Sequence, residues 1–203
     1  MSQARAMRIK LLLFDVDGVA TDGTIWLFPA PAGVGQKPPT SGDEADHAVV
    51  SRNMVEAKGF HAHDGTAISL ARLGGIKTGL ITKRVSETVA LRARDLRLDH
   101  VLQGISDKRQ ALEEVLAKEG LQAEQVAYVG DDIIDLPVMR ACGLAFAVPN
   151  ARDNVKREAH VILEHAGGQG AIRDAIEYLL RAQNKFDSVM AAYLNEIDPA
   201  KSS

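Results

Sequence analysis

Short apolar runs alternate with amphipathic stretches along this chain. The runs at 8–14, 78–81, 100–102, 126–129, 144–147 and 161–163 read as strands. Between and after them, apolar residues recur at helical spacing over 64–73, 86–95, 106–119, 136–141 and 152–158. Asp64 and Ser86 stand where helix N-caps belong, and Gly74 or Gly75 and Gly120 stand past helix ends. Strands alternating with helices predict an α/β chain, with a Rossmann-like parallel sheet flanked by helices on both faces. Ligands in such sheets bind beyond the carboxyl ends of the strands.

Two regions leave this rhythm. Residues 28–47 hold Pro29, Pro31, Pro38 and Pro39 with Gly33, Gly35 and Gly42 between them, the composition of a long loop. Stretches 24–28 and 49–55 flank it as two hairpin strands. A solvated tip is the plainer reading of that loop, and a partner or substrate contact the sharper one. Near the C-terminus, Ile172, Ile176, Leu179, Leu180, Phe186, Val189, Met190, Tyr193, Leu194 and Ile197 keep a near-helical period. One helix over that span would be roughly 40 Å long, and two shorter helices folded back on the core fit the pattern equally. An apolar stripe left in water invites association, so 186–197 is expected to dock on a neighbouring subunit. The expected organisation is one domain over 1–183, with the hairpin and loop 24–58 inserted, and a helical tail over 184–203.

Composition narrows the function classes. With 203 residues, 46% of them hydrophobic, the chain suits one domain with a full core. A net charge of −3 offers no basic excess to hold a nucleic-acid backbone. The apolar runs fall far short of a membrane span, and residues 1–10 lack the apolar segment of a signal peptide. The single Cys142 excludes an intrachain disulfide, reads as a small core residue and fits a reducing, cytoplasmic setting. The six histidines are scattered, against a zinc cluster.

The chemistry gathers at the strand ends. The first run stops at Asp15-Val16-Asp17-Gly18, and residues two apart on a strand face the same way. Two carboxylates about 4 Å apart repel by roughly 4 kcal/mol at an effective dielectric near 20. Such a pair calls for a cation, a shared proton or a turn that splays it. Later runs end at Thr82 and at Asp131-Asp132, with Asp135 four beyond Asp131, and Lys108 stands in the first turn of a helix. Singly, these are turn, cap and surface residues. In order they supply a nucleophile, a hydroxyl donor, a cation and a metal-binding acid.

That order resembles the haloacid dehalogenase superfamily of phosphotransferases over about residues 8–173. The segments Asp17-Gly18-Val19-Ala20-Thr21-Asp22-Gly23, Phe60-His61-Ala62-His63-Asp64-Gly65, Val126-Ala127-Tyr128-Val129-Gly130-Asp131-Asp132 and Gly167-Gly168-Gln169-Gly170-Ala171-Ile172-Arg173 resemble the 3-deoxy-D-manno-octulosonate 8-phosphate phosphatase branch. The resemblance implies a small β-hairpin in place of a cap domain, a homotetramer and a sugar phosphate substrate. It implies Mg2+ held by the Asp15 and Asp131 side chains and the Asp17 carbonyl, with Asp132 and Asp135 behind them. Asp15 would attack phosphorus, Asp17 would act as acid and then base, and Lys108 and Thr82 would hold the phosphoryl group. Arg84, His63, Asp64 and Gly65 are the expected substrate contacts.

The branch usually shows Thr-Gly-Arg where this chain has Thr82-Lys83-Arg84, arginine where it has His63, and often arginine where it has Gln169. These departures bear on the substrate more than on the reaction. A nine-carbon ulosonate phosphate, another sugar phosphate, or a non-catalytic tetramerising module are the competing readings.

Overall fold

The computed structural model describes residues 2–29 and 54–197. The sheet runs β5-β4-β1-β6-β7-β8, parallel throughout, and a separate antiparallel pair joins β2 to β3. Its strands are β1 (Leu11–Phe14), β4 (Lys77–Ile81), β5 (His100–Leu102), β6 (Val126–Gly130), β7 (Leu144–Ala147) and β8 (Val161–Ile162). The hairpin strands are β2 (Trp26–Pro29) and β3 (Met54–Ala57). The first begins later than the periodicity suggests and both end later, while residues 49–53 of the second expected strand and, past Pro29, the loop expected over 28–47 lie outside the described residues.

β1 and β6 are buried at every position, which is why their sequences are continuous apolar runs rather than alternating ones. Chain order sets the layers. From β1 the chain steps outward to β4 and β5 through α2 (Ala62–Leu73) and α3 (Glu87–Leu96). It then returns past β1 to β6 through α4 (Lys108–Glu119), and continues to β7 and β8 through α5 (Leu136–Ala141) and α6 (Asp153–Glu158). Right-handed crossovers in opposite directions put α2 and α3 on one face and α4, α5 and α6 on the other. The direction reverses beside β1, so the carboxyl ends of β1, β4 and β6 form the switch point where such sheets bind ligands.

A short helix not expected from sequence, α1 (Ser2–Ala6), precedes β1, so the strand starts at Leu11 rather than residue 8. The C-terminal stripe forms two helices, α7 (Ala171–Ala182) and α8 (Phe186–Ile197). The break is at Asn184, whose φ of 54° ends the first helix. Beside it Lys185 Nζ donates to Gly74 O at 2.7 Å and the Arg181 guanidinium lies 3.7 Å over the Phe186 ring. α7 packs along α2, and α8 folds back onto α2.

Helix α2 starts two residues before the expected N-cap. His61 is its N-cap, and Asp64 lies inside the first turn. The Asp64 carboxylate caps a different helix, accepting the Arg173 amide of α7 at 2.9 Å. Gly170, the N-cap of α7, has no side chain to do so. Helix α3 follows its Ser86 cap as expected, and α4 begins at Lys108 under an Asp107 cap.

Leu179 is fully buried on α7, whereas Leu194 on α8 is 53% exposed. Leu179→Ala should cost about 2–5 kcal/mol in denaturant unfolding, and Leu194→Ala no more than about 0.5 kcal/mol. A comparable loss for Leu194→Ala would show that its outer face is covered in solution.

Candidate active site

The carboxyl ends of β1 and β6 deliver their acids to one place. β1 pairs with β6 through Phe14 and Val129, so Asp15 and Asp131 emerge side by side, and Asp15 N donates to Val129 O at 3.1 Å. After Asp15 the chain enters a tight turn over Val16–Ala20, and Gly18 takes a φ of 94° there. A Cβ at Gly18 would also run into the Asp131 carboxylate. Glycine is therefore required twice over, for its backbone conformation and for the approach of an acid.

Asp15, Asp131 and Asp135 place carboxylate oxygens within 4.8 Å of one another. Lys108 reaches this cluster from the first residue of α4. Its Nζ lies 3.0 Å from Asp15 Oδ1 and 2.7 Å from Asp135 Oδ1, and it donates to the Tyr128 hydroxyl at 3.1 Å. Asp135 is wholly enclosed and fully engaged. Its Oδ1 accepts from Lys108 and from Tyr128 Oη at 2.8 Å, and its Oδ2 accepts the amides of Asp131 and Asp132 at 3.0 and 3.2 Å. Four donors on two oxygens make Asp135 a strut rather than an open ligand. Gly130 makes room for it, because a Cβ there would stand 2.6 Å from Asp135 Cβ.

Asp15 and Asp131 are open by comparison. Asp15 Oδ1 accepts the Val16 amide at 2.7 Å and faces Lys108. Asp131 Oδ1 is buried with no hydrogen-bond partner. Burial pushes the Asp15 carboxyl up to about 7, with Asp135 adding to the rise and Lys108 opposing it. Burial, then the charges of Asp135, Asp15 and Asp132, push Asp131 up to about 8. Burial works against the Lys108 charge, but Asp15 and Asp135 outweigh it and hold the ammonium above its ordinary range. One lysine thus faces three acids, and the orphaned Asp131 oxygen lies among hard oxygen donors. That donor set suits a small divalent cation.

Thr82 directly follows β4, two places past Leu80, the partner of Phe14, and it is buried. Asp132 is exposed and caps the turn after β6, its Oδ1 accepting the Ile133 amide at 2.7 Å. Asp17 extends into the adjoining space, where Lys58 donates to its Oδ1. Arg84 Nε lies 3.7 Å from Asp17 Oδ2, while its Nη2 donates to Glu56 at 2.8 Å. Lys83, His63 and Gln169 are all exposed. Of the four expected substrate contacts, His63, Asp64 and Gly65 gather at the start of α2. His63 lies edge-on to His61 at 4.6 Å, Asp64 holds α7, and Gly65 sits against Arg92.

Sequence reasoning passed over Tyr128, Lys58 and Glu56. Tyr128 gave a signal, being the one hydroxyl in the buried run Val126-Ala127-Tyr128-Val129, where it must find a partner. Lys58 and Glu56 gave none, because only the tertiary fold of the hairpin brings them to Asp17. The glycines Gly167 and Gly168 lie tight against the backbone of Gly18, Thr21 and Asp22, where neither could carry a Cβ without displacing it.

Comparisons with known proteins agree with this geometry. The family described as haloacid dehalogenase-like hydrolase matches residues 82–176. The 3-deoxy-D-manno-octulosonate 8-phosphate phosphatase of Escherichia coli (strain K12) is 36% identical over 184 residues, 91% of this chain and 86% of that one. The crystal structure of the Yersinia pestis phosphatase of that name superposes with a TM-score of 0.77 at 36% identity, covering 92% of this chain and 88% of the other. The Moraxella catarrhalis enzyme, solved with magnesium, phosphate and KDO, gives a TM-score of 0.79 at 32% identity over 94% of this chain and 97% of that one. With relatives this similar over nine-tenths of its length, the chain belongs to the 3-deoxy-D-manno-octulosonate 8-phosphate phosphatase family of haloacid dehalogenase-like hydrolases.

Proposed function

We propose that this chain is a magnesium-dependent phosphatase that hydrolyses 3-deoxy-D-manno-octulosonate 8-phosphate through an aspartyl-phosphate on Asp15. The observation that carries the reading is the Asp15–Lys108 pair inside a three-acid cluster. Asp15 Oδ1 is held by Lys108 and the Val16 amide, which leaves Oδ2 to attack phosphorus in line. Lys108 neutralises the nucleophile and the phosphoryl group as a point charge. Thr82 donates a hydrogen bond to a phosphoryl oxygen. Asp17 protonates the departing sugar alkoxide and then takes a proton from the water that cleaves the acyl phosphate. Arg84 stands beside Asp17 at the open side, where the sugar part of the substrate would lie.

The orphaned Asp131 oxygen and the raised Asp15 and Asp131 carboxyls fit a bound divalent cation. Asp15, Asp131 and the Asp17 carbonyl would hold magnesium, with Asp132 near its waters and Asp135 bracing the site. When bound, magnesium supplies positive charge to the phosphoryl oxygens and keeps both carboxylates ionised. An intact set of Asp15, Asp17, Thr82, Lys108 and Asp131 speaks against a purely assembling module.

Assembly as a homotetramer is supported by the hairpin, where Trp26, Leu27 and Phe28 are all exposed and the Trp26 and Phe28 rings stack at 6.5 Å. Cytoplasmic residence is supported by the one unpaired cysteine. Among the described residues no helix is long and apolar enough to cross a membrane.

Phosphate release from a panel of 3-deoxy-octulosonate 8-phosphate, a nonulosonate 9-phosphate, hexose phosphates and an aryl phosphate tests the substrate. A strong preference for the eight-carbon ester is expected, and flat activity would detach the chain from it. Asp15→Asn should lower turnover by at least about 10⁴-fold in a folded protein; near-normal rates would rule out the covalent route.

Because the folded pKa of Asp131 is raised, its ionisation opposes the metal-free fold increasingly as pH climbs from about 4 through about 8. In EDTA, Asp131→Asn should therefore gain thermal stability relative to the parent between pH 5 and pH 8, by roughly a few degrees. Magnesium should close that gap by stabilising the parent alone. A gap independent of pH would refute the linkage. For the assembly, Trp26→Glu combined with Phe28→Glu should shift sedimentation to a smaller species, and an unchanged coefficient would clear the hairpin of that role.

A further inference from the structure

Four charged side chains close a ring beside the acid cluster. Lys58 pairs with Asp17, Asp17 faces Arg84 at 3.7 Å, Arg84 bonds Glu56 at 2.8 Å, and Glu56 lies 3.6 Å from Lys58. Signs alternate around the ring, so it is neutral. It draws on three separate segments: the end of the hairpin, the turn after β1 and the loop after β4. Ser86 Oγ at 2.7 Å and Thr88 Oγ1 at 3.2 Å fasten Glu56 to the start of α3, so the hairpin side of the ring is anchored.

Exposure differs sharply among the members. The Lys58 side chain is 0% exposed, whereas that of Asp17 is 22% and that of Arg84 44% exposed. A lysine so enclosed cannot reach a substrate arriving from solvent. A buried ammonium also stays charged only beside an anion. Glu56 accepts from Ser86 and Arg84, and its Oε1 stands 3.6 Å from Lys58 Nζ, beyond a hydrogen bond. The direct partner of Lys58 is therefore Asp17, and specifically Oδ1. Asp17 Oδ2 has only the longer approach of Arg84.

Resting on the phosphatase reading above, we infer that Lys58 is a positioning residue for the acid. It pins Asp17 Oδ1 so that Oδ2 alone carries the catalytic proton and faces the scissile oxygen. In the first half-reaction, Asp15 Oδ2 forms its bond to phosphorus as the ester P–O bond breaks, and the proton on Asp17 Oδ2 passes to the departing oxygen. In the second, Oδ2 takes a proton from water as that water's oxygen bonds to phosphorus and the acyl phosphate P–O bond breaks. Lys58 gains and loses nothing in either step. Its work is to fix which oxygen exchanges the proton and where it points.

Leaving-group dependence separates this role from a structural one. A sugar alkoxide needs a proton to depart, and p-nitrophenolate does not. In the full-length magnesium-loaded protein, Lys58→Met should lower kcat/KM on the alkyl ester, which reports steps through formation of the aspartyl-phosphate and not the hydrolysis both esters share, by about 10- to 100-fold, up to the lower end of what general acid catalysis supplies. Its kcat/KM on p-nitrophenyl phosphate should fall by less than about 3-fold. Lys58→Arg, which keeps a cation, should recover most of the alkyl rate. Should Lys58→Met fail to fold, Lys58→Gln reads the same contrast. Equal losses on both esters, or no loss on either, overturn the inference. Asp17→Asn is the reference: if it shows the contrast and the Lys58 variants do not, positioning by Lys58 falls alone. If Asp17→Asn lacks the contrast as well, the acid role of Asp17 falls with it.

Discussion

The Asp135 carboxylate is the constraint on which the site depends. It is completely buried, and it is tolerated there because four donors meet its two oxygens. Two of those donors are the amides of Asp131 and Asp132, so the turn after β6 takes its shape from Asp135. The other two are Lys108 and Tyr128, so the lysine is aimed before any substrate arrives. Asp15 then finds a cation at a fixed place. Removing Asp135 would leave a buried ammonium, a phenol and two amides short of a partner, which no single neighbour could repair.

Close backbone packing sets the second constraint. The turn carrying Asp17 and Gly18 is clamped between Asp131 and the Gly167-Gly168 segment that leads into α7. Gly167 N donates to Asn150 Oδ1 at 3.0 Å and Gly168 N to Val19 O at 3.0 Å. The start of α7 is in turn held by Asp64 from α2. These contacts connect the last helices of the chain to its first catalytic turn. They explain glycines that a flexible loop would not need.

Much of this was legible from the chain itself. Six short apolar runs placed all six sheet strands within about three residues, because strands buried on both faces admit few polar side chains. Asp15, Thr82 and Asp131 stood out because each ended such a run. Asp64 does not cap its own helix, as its place before the apolar stretch suggests; it caps α7, and a cap across space leaves no local spacing to detect. Asp135 was expected behind the metal-binding acids, yet its bond to Tyr128 was invisible, as neither residue's neighbours in sequence require it. Lys58 and Glu56 lay beyond reach for the same reason, compounded by the proline-rich stretch that separates the hairpin strands.

The two aspartates of the opening motif illustrate how neighbouring groups of one kind acquire different roles. Both are acids on one turn, and each has one oxygen held by a lysine. Lys108 approaches Asp15 from the core, together with the Val16 amide, in a nearly closed space. Lys58 approaches Asp17 from the hairpin, within a neutral ring that remains partly open to solvent through Asp17 and Arg84. The first environment suits attack on phosphorus, by a carboxylate whose other oxygen is held in place. The second suits proton exchange, where the leaving alcohol and the incoming water must both pass. The described chain has no large cap domain over its site, and its hairpin instead reaches the chemistry through one buried lysine. The small insertion is therefore part of the acid's environment as well as an apolar surface, because Glu56 and Lys58 face inward at the end of the same hairpin whose outer side exposes Trp26 and Phe28.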